Sequence, residues 1–270
     1  NEVGSPTGDL HPISSRPCWA YQKNQADGQK RHVFLRGKKT RHFCPPLILA
    51  LYKKGVMVFP SLFNKHEDNE VLEYIARNEK ALKKDFNIKL TTLEKTLEII
   101  SEGVKEAKKQ KIKSVEYIWN MAGYINTCSF DLAVAGEALM FEKDPWKRRY
   151  FSRMAAVNIY EASLDLPNMA GKEYRMEVLK LPEGKQFLDA LGAKIKKIGK
   201  FKSDHAFWLK DIRLCCSAHR DQQLSEQLRI VFEIEPTKVL KIMAEFDNLL
   251  NELGLIIQSG LELLPKKSYV

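Results

Sequence analysis

The residues best suited to chemistry lie late in the chain, in Leu209-Lys210-Asp211-Ile212-Arg213-Leu214-Cys215-Cys216-Ser217-Ala218-His219-Arg220-Asp221. His219 is of the side-chain type whose charge changes near neutral pH, which suits it to proton transfer. Arg213 offers a rigid fork of N–H donors matched to a phosphate. Together they suffice for RNA cleavage without a metal. The histidine serves as base or acid while a 2′-hydroxyl attacks the adjacent phosphate, and the arginine stabilises charge gathering on the phosphate oxygens. Spacing sets a condition. On a continuous helix, Arg213 and His219 lie about 120° apart. They meet one substrate only if the helix breaks between them or two copies of the chain come together. Ser217, one turn beyond Arg213, shares its face and is a candidate auxiliary. The plainer reading is a histidine–aspartate capping pair, with Cys215-Cys216 as small apolar fillers of a helix interface.

The elements that must position this stretch are helices. Ile118, Met121, Ile125, Cys128, Leu132, Ala135 and Leu139 recur at three and four, which predicts a helix over 115–142. Asp144-Pro145 supplies an N-cap and a first-turn proline for a helix carrying Trp146, Tyr150, Met154, Val157, Glu161 and Leu164, stopped by Leu166-Pro167. Phe187, Leu188, Leu191, Ile195 and Ile198 predict another, ending near Gly199, and Ser203 or Asp204 then caps the helix bearing Arg213. Pro236 starts a last long helix with Leu240, Met243, Phe246, Leu250, Leu253 and Ile257, which ends before Pro265. Short links between helices make neighbours antiparallel, so the expected fold is a bundle. Upstream, Val71, Leu72, Tyr74 and Ile75 begin one amphipathic stretch. Thr91-x-x-Glu94 reads as the capping box of a second, with Leu93, Leu97, Ile100 and Val104 on its face. Before residue 67, Cys18-Trp19-Ala20-Tyr21 and His32-Val33-Phe34-Leu35 flank Asp27-Gly28 as a candidate hairpin, and short apolar runs follow at 47–51 and 56–59.

Charge points toward polyanions. The 270 residues carry a formal net charge of +10, which favours nucleic acid first and an anionic membrane second. Lys194, Lys196, Lys197, Lys200 and Lys202 precede the Arg213 stretch with no acid among them until Asp204. Lys194, Lys197 and Lys200 are candidate phosphate contacts without sequence preference, and a solvated helix face is the competing reading. A denser run, Lys30, Arg31, Arg36, Lys38, Lys39 and Arg41, is interleaved with His32, Phe34 and His42. Basic and aromatic residues together suit a single strand, which offers phosphates and stackable bases; a solvated hairpin is the alternative.

Other classes are disfavoured. Apolar residues at 44% and charged ones at 29% are ordinary for a globular protein. No run of apolar residues is long enough for a membrane span, and the first residues lack the blocks of a signal peptide. Five scattered cysteines form no disulfide framework, so a cytoplasmic location is expected. Cys18, His32, His42 and Cys44 are spaced unlike the usual zinc hooks, so no metal or other cofactor is expected. Nothing resembles a phosphate-cradling glycine loop, a dinucleotide fingerprint or a serine-nucleophile motif.

Leu209-Lys210-Asp211-Ile212-Arg213, followed after five residues by His219-Arg220-Asp221, resembles the signature of the HEPN superfamily, in particular its abortive-infection-type bacterial members. The order of elements agrees: two long helices with an Ile159-Tyr160-Glu161-Ala162 segment, shorter helices, the motif, then one long helix. The resemblance spans about residues 115–264. It implies an α-helical up-and-down bundle, dimerised so that both motifs face a shared cleft, and metal-independent RNA endonuclease activity in phage defence or a toxin–antitoxin pair. Arg213 and His219 match the two defining positions. Leu214 departs from the polar residue that active members carry after the arginine, and many members serve instead as non-catalytic nucleic-acid- or protein-binding dimerisation modules. The expectation is therefore a mainly α protein in three parts: a leader over 1–16, a basic N-terminal region over 17–112 with short strands then helices, and an HEPN-like bundle over 113–265. RNA, a second copy and an antitoxin or regulatory protein are its expected partners.

Overall fold

The structure, a computed structural model, describes residues 68–216 and 224–264. All of the described residues belong to one compact unit. The expected leader, the hairpin around Asp27-Gly28 and the runs at 47–51 and 56–59 lie outside the described residues.

The described residues form seven helices: α1 (Asp68–Gln110), α2 (Lys113–Phe141), α3 (Pro145–Met169), α4 (Lys172–Val178), α5 (Gly184–Cys216), α6 (Leu224–Glu233) and α7 (Pro236–Glu262). Helices α2, α3, α5 and α7 pack in a ring in that order, with α3 also touching α7. Helix α1 lies along α2, α4 packs on α2 and α5, and α6 packs on α5. The fold is a helical bundle. Helix α2 is enclosed on two sides, because Ile118, Met121, Ile125, Leu132 and Leu139 bury one face while Val115, Trp119, Ala122 and Ala133 bury another. Leu240, Met243, Phe246, Leu250, Leu253 and Ile257 of α7 are all buried, as their spacing predicts. Each contributes about 1.5–3 kcal/mol by leaving water. Asp144 caps α3 by accepting from the Lys147 N–H at 2.8 Å, with Pro145 in the first turn.

Four local expectations are corrected. The two helices expected around Thr91-x-x-Glu94 are one helix of 43 residues, α1. Thr91 lies mid-helix, where Leu82, Phe86, Leu93 and Ile100 bury a continuous stripe that a break would interrupt. Likewise Gly199, Ser203 and Asp204 do not separate two helices but lie within the 33 residues of α5. The Ser203 hydroxyl bonds back to the Gly199 carbonyl at 3.0 Å, and Asp204 pairs with Lys200. Burial of Ile198, Phe201 and Leu209 on one side outweighs the roughly 1 kcal/mol that a mid-helix glycine costs. Pro167 does not stop α3 at Leu166; it sits in the last turn, where a missing N–H loses one bond only. Finally, α3 faces the other way round. Its buried residues are Ser152, Ala155, Ala156, Ile159, Ala162, Ser163 and Leu166, while Trp146, Tyr150 and Met154 are exposed. Small side chains let α3 approach α2, α5 and α7 closely, which leaves the large ones outside.

Two features of the α1–α2 contact are testable. Gly103 admits the Trp119 indole, since a Cβ there would stand 2.5 Å from ring atom Cε2. Gly103→Ala is expected to lower stability by about 1–3 kcal/mol despite alanine's better helix propensity, as read by urea unfolding. The link Lys111–Ile112 closes α1 with a paired motif, Ile112 N–H to the Ala107 carbonyl and Lys111 N–H to that of Lys108. It holds Lys111 at φ 57°. Lys111→Gly relieves that left-handed strain and is expected to raise stability by about 0.5–1 kcal/mol, seen as a higher urea midpoint.

Candidate functional site

Arg213 lies in the last turn of α5, on the side that packs against α3. Its Nε donates to Glu161 Oε1 of α3, and its guanidinium carbon sits 5.6 Å from the centre of the Tyr160 ring. The Arg213–Glu161 hydrogen bond, reinforced by the carboxylate charge, holds the guanidinium above its ordinary value. Arg213 is therefore cationic at any working pH. Its neighbours Leu209 and Ile212 are buried, which fixes the rotation of this helix end. The Ile159–Ala162 segment named with the motif is thus the segment the arginine touches, with Ile159 and Ala162 buried and Tyr160 and Glu161 turned toward α5.

Leu214, the apolar residue after the arginine, is 38% exposed. Phe207, seven residues earlier on the same side of α5, is 84% exposed. They are two exposed apolar side chains two turns apart, with Lys210 and Asp211 between them on the same side of the helix. His219 and Ser217 lie outside the described residues, as do the side chains of Cys215 and Cys216. Helix α5 runs unbroken from Arg213 to Cys216.

The lysine face of α5 is paired. Lys194 and Lys197 both reach Glu252 of α7, at 2.8 and 3.0 Å, and Lys200 reaches Asp204 at 2.5 Å. The Lys194 hydrogen bond, then that of Lys197, holds the Glu252 carboxyl below the usual carboxylate range. An acid invisible in the local sequence comes from the neighbouring helix and cancels part of the charge. The N-terminal candidates Lys30, Arg31, Arg36, Lys38, Lys39 and Arg41 lie outside the described residues, as do Cys18, His32, His42 and Cys44. Among the described residues no group of three or more His, Cys, Asp or Glu is placed to hold a metal ion. No described helix is long and apolar enough to cross a membrane.

Two arrangements were not anticipated from sequence. His205 Nε2 lies 3.3 Å from Glu245 Oε2 of α7, with its ring 4.6 Å from that of Phe201. On the exposed side of α3, Arg149 stacks over both Trp146 and Phe232 of α6, and Arg153 stacks over Tyr150. The basic run Lys147-Arg148-Arg149 with Arg153, interleaved with Trp146 and Tyr150, was the available signal. Cys128 offers no nucleophile, because burial pushes its thiol up to about 12. Comparison of the chain with family models, with curated proteins and with solved structures returns no significant match.

Proposed function

We propose that the chain is an HEPN-type, metal-independent RNA endonuclease. The observation that carries this reading is the contact of Arg213 with Glu161 and Tyr160, because it joins the two sequence segments that prompted the resemblance. A guanidinium held through Nε and laid over an aromatic ring has little orientation left to lose when it meets a phosphate. In the proposed reaction His219 takes the proton of a 2′-hydroxyl, whose oxygen attacks the adjacent phosphorus. The bond to the 5′-oxygen breaks, and that oxygen receives a proton from an imidazolium, the second copy's in a paired site. Arg213 stabilises the phosphate oxygens as negative charge collects on them. The products are a 2′,3′-cyclic phosphate and a 5′-hydroxyl. Pairing of two copies is supported by the exposed Phe207 and Leu214, which share one side of α5 that a second copy would cover. A role in phage defence or a toxin–antitoxin pair belongs to this reading.

The second reading is a non-catalytic module that binds nucleic acid or protein. Leu214 favours it, since an apolar side chain beside Arg213 can offer no hydrogen bond to a phosphate. Glu161 favours it too, since a carboxylate on the arginine repels the anion that catalysis requires. Incubation of the full chain with mixed RNA, beside His219→Ala, separates the two. Endonuclease action predicts cyclic-phosphate ends, persistence in EDTA and loss of cleavage in the variant. Binding without cleavage by either protein supports the module.

A further inference from the structure

The outer face of α3 carries surface that the bundle does not use. Trp146 is 55% exposed and Tyr150 49%, and Phe232 of α6 joins them at 54%. The Trp146 and Phe232 rings meet edge to face with centres 5.4 Å apart. Over this cluster lie two guanidinium groups, Arg149 at 5.6 Å from the Trp146 ring and 5.5 Å from that of Phe232, and Arg153 at 5.8 Å from Tyr150. Large aromatic side chains on a water-facing helix expose apolar area that a fold gains by covering.

The arginines say what kind of cover fits. The Nε atoms of Arg148, Arg149 and Arg153 are shielded from solvent and have no hydrogen-bond partner. The nearby acids are already engaged, Asp144 in capping α3 and Glu142 with Lys147 at 3.4 Å. Among the described residues no acid pairs with Arg149 or Arg153, and Glu233 beside Phe232 is taken up by Arg229, so positive charge and aromatic area occur together here. The strip also extends: Trp146, Arg153 and Tyr160 fall within about 40° of one another around α3, over about 21 Å of helix. At its far end Tyr160 underlies Arg213.

We propose that this face of α3, with Phe232 of α6, binds a single-stranded nucleic acid. Bases stack on Trp146 and Tyr150, and Arg149 and Arg153 meet the phosphates between them. A strand alternates flat apolar bases with anionic phosphates, and this face alternates rings with guanidinium groups. A duplex hides its bases and does not match. A second copy of the chain is the poorer partner, because a two-fold contact through this face would set one cluster of arginines against another. The proposal goes beyond cleavage and stands whether or not Arg213 and His219 react.

The test uses the full chain with His219→Ala, which removes cleavage from the measurement, and a labelled single-stranded RNA of about a dozen nucleotides. A DNA strand of the same sequence and an RNA duplex serve as further arms. Fluorescence anisotropy is expected to show binding to both single strands and weaker binding to the duplex. Adding Trp146→Ala or Tyr150→Ala is expected to weaken single-strand binding about five- to a hundredfold. Trp146→Phe, which keeps a ring, retains most of it. Arg149→Gln or Arg153→Gln is expected to flatten the dependence of log affinity on log salt by about 0.7 each. Indole fluorescence quenched by the strand and lost in Trp146→Ala places a base on that ring. The proposal is overturned if neither single strand binds, if Trp146→Ala and Tyr150→Ala bind as the parent does, or if the duplex binds as tightly as the strands. It is equally overturned if these variants turn a dimer into a monomer and leave affinity unchanged, which makes the face a contact between copies.

Discussion

Asp247→Ala is expected to lower the stability of the fold by about 3–5 kcal/mol, the largest loss among the stability changes expected here. Asp247 lies midway along α7 and is 1% exposed. Lys89 of α1 places Nζ 2.7 Å from both of its carboxylate oxygens, and Asn251 donates to Oδ2 at 3.2 Å. This pair joins α1 to the bundle across 158 residues of sequence, at a place where both charges have left water. Removing the carboxylate alone leaves an ammonium buried without its counter-charge. Removing both is different, because the desolvation of each ion is then no longer incurred. Lys89→Met with Asp247→Leu is expected to restore stability to near the parent value or above it. Urea unfolding of the four proteins of this cycle reads both outcomes. A loss below about 1 kcal/mol for Asp247→Ala would mean that water reaches the pair and that α1 sits less firmly on α7.

The second large effect is on rate. With Arg213 as the phosphate anchor, Arg213→Ala is expected to slow RNA cleavage about 10²- to 10³-fold, and His219→Ala about 10²- to 10⁴-fold. Arg213→Lys is not expected to rescue. An ammonium keeps the charge but cannot hold Glu161 through Nε, lie flat on Tyr160 and present a planar fork at the same time. The conservative variant therefore separates a positioned guanidinium from a mere positive charge. If Arg213→Lys cleaves as the parent does, the Glu161–Tyr160 seat has no part in catalysis.

Sequence made the bundle legible wherever burial and period agree. Helices α2 and α7 carry their large apolar residues on buried faces, and both lie within two or three residues of expectation. The reading failed where local signals met tertiary packing. Thr91-x-x-Glu94 and Gly199 with Ser203 are good helix punctuation in isolation, yet both fall inside long helices whose stripes stay buried across them. Helix α3 shows a subtler limit. Its most visible period is Trp146, Tyr150, Met154 and Val157, but its core side is built of alanines and serines that no hydrophobic count singles out. The candidate site was half visible. Arg213 and the Ile159–Ala162 segment could each be marked in the sequence, whereas their contact spans 52 residues and depends on how α5 rotates against α3. The pairing of Lys194 and Lys197 with Glu252 was hidden for the same reason.

The decisive measurement incubates the full chain with a mixed-sequence RNA in EDTA, beside Arg213→Ala and His219→Ala, and identifies the new ends. The proposed endonuclease predicts 2′,3′-cyclic phosphate ends from the parent and at least about a hundredfold less product from each variant. Cleavage that persists equally in both variants, or a parent that binds RNA and leaves it intact, contradicts it.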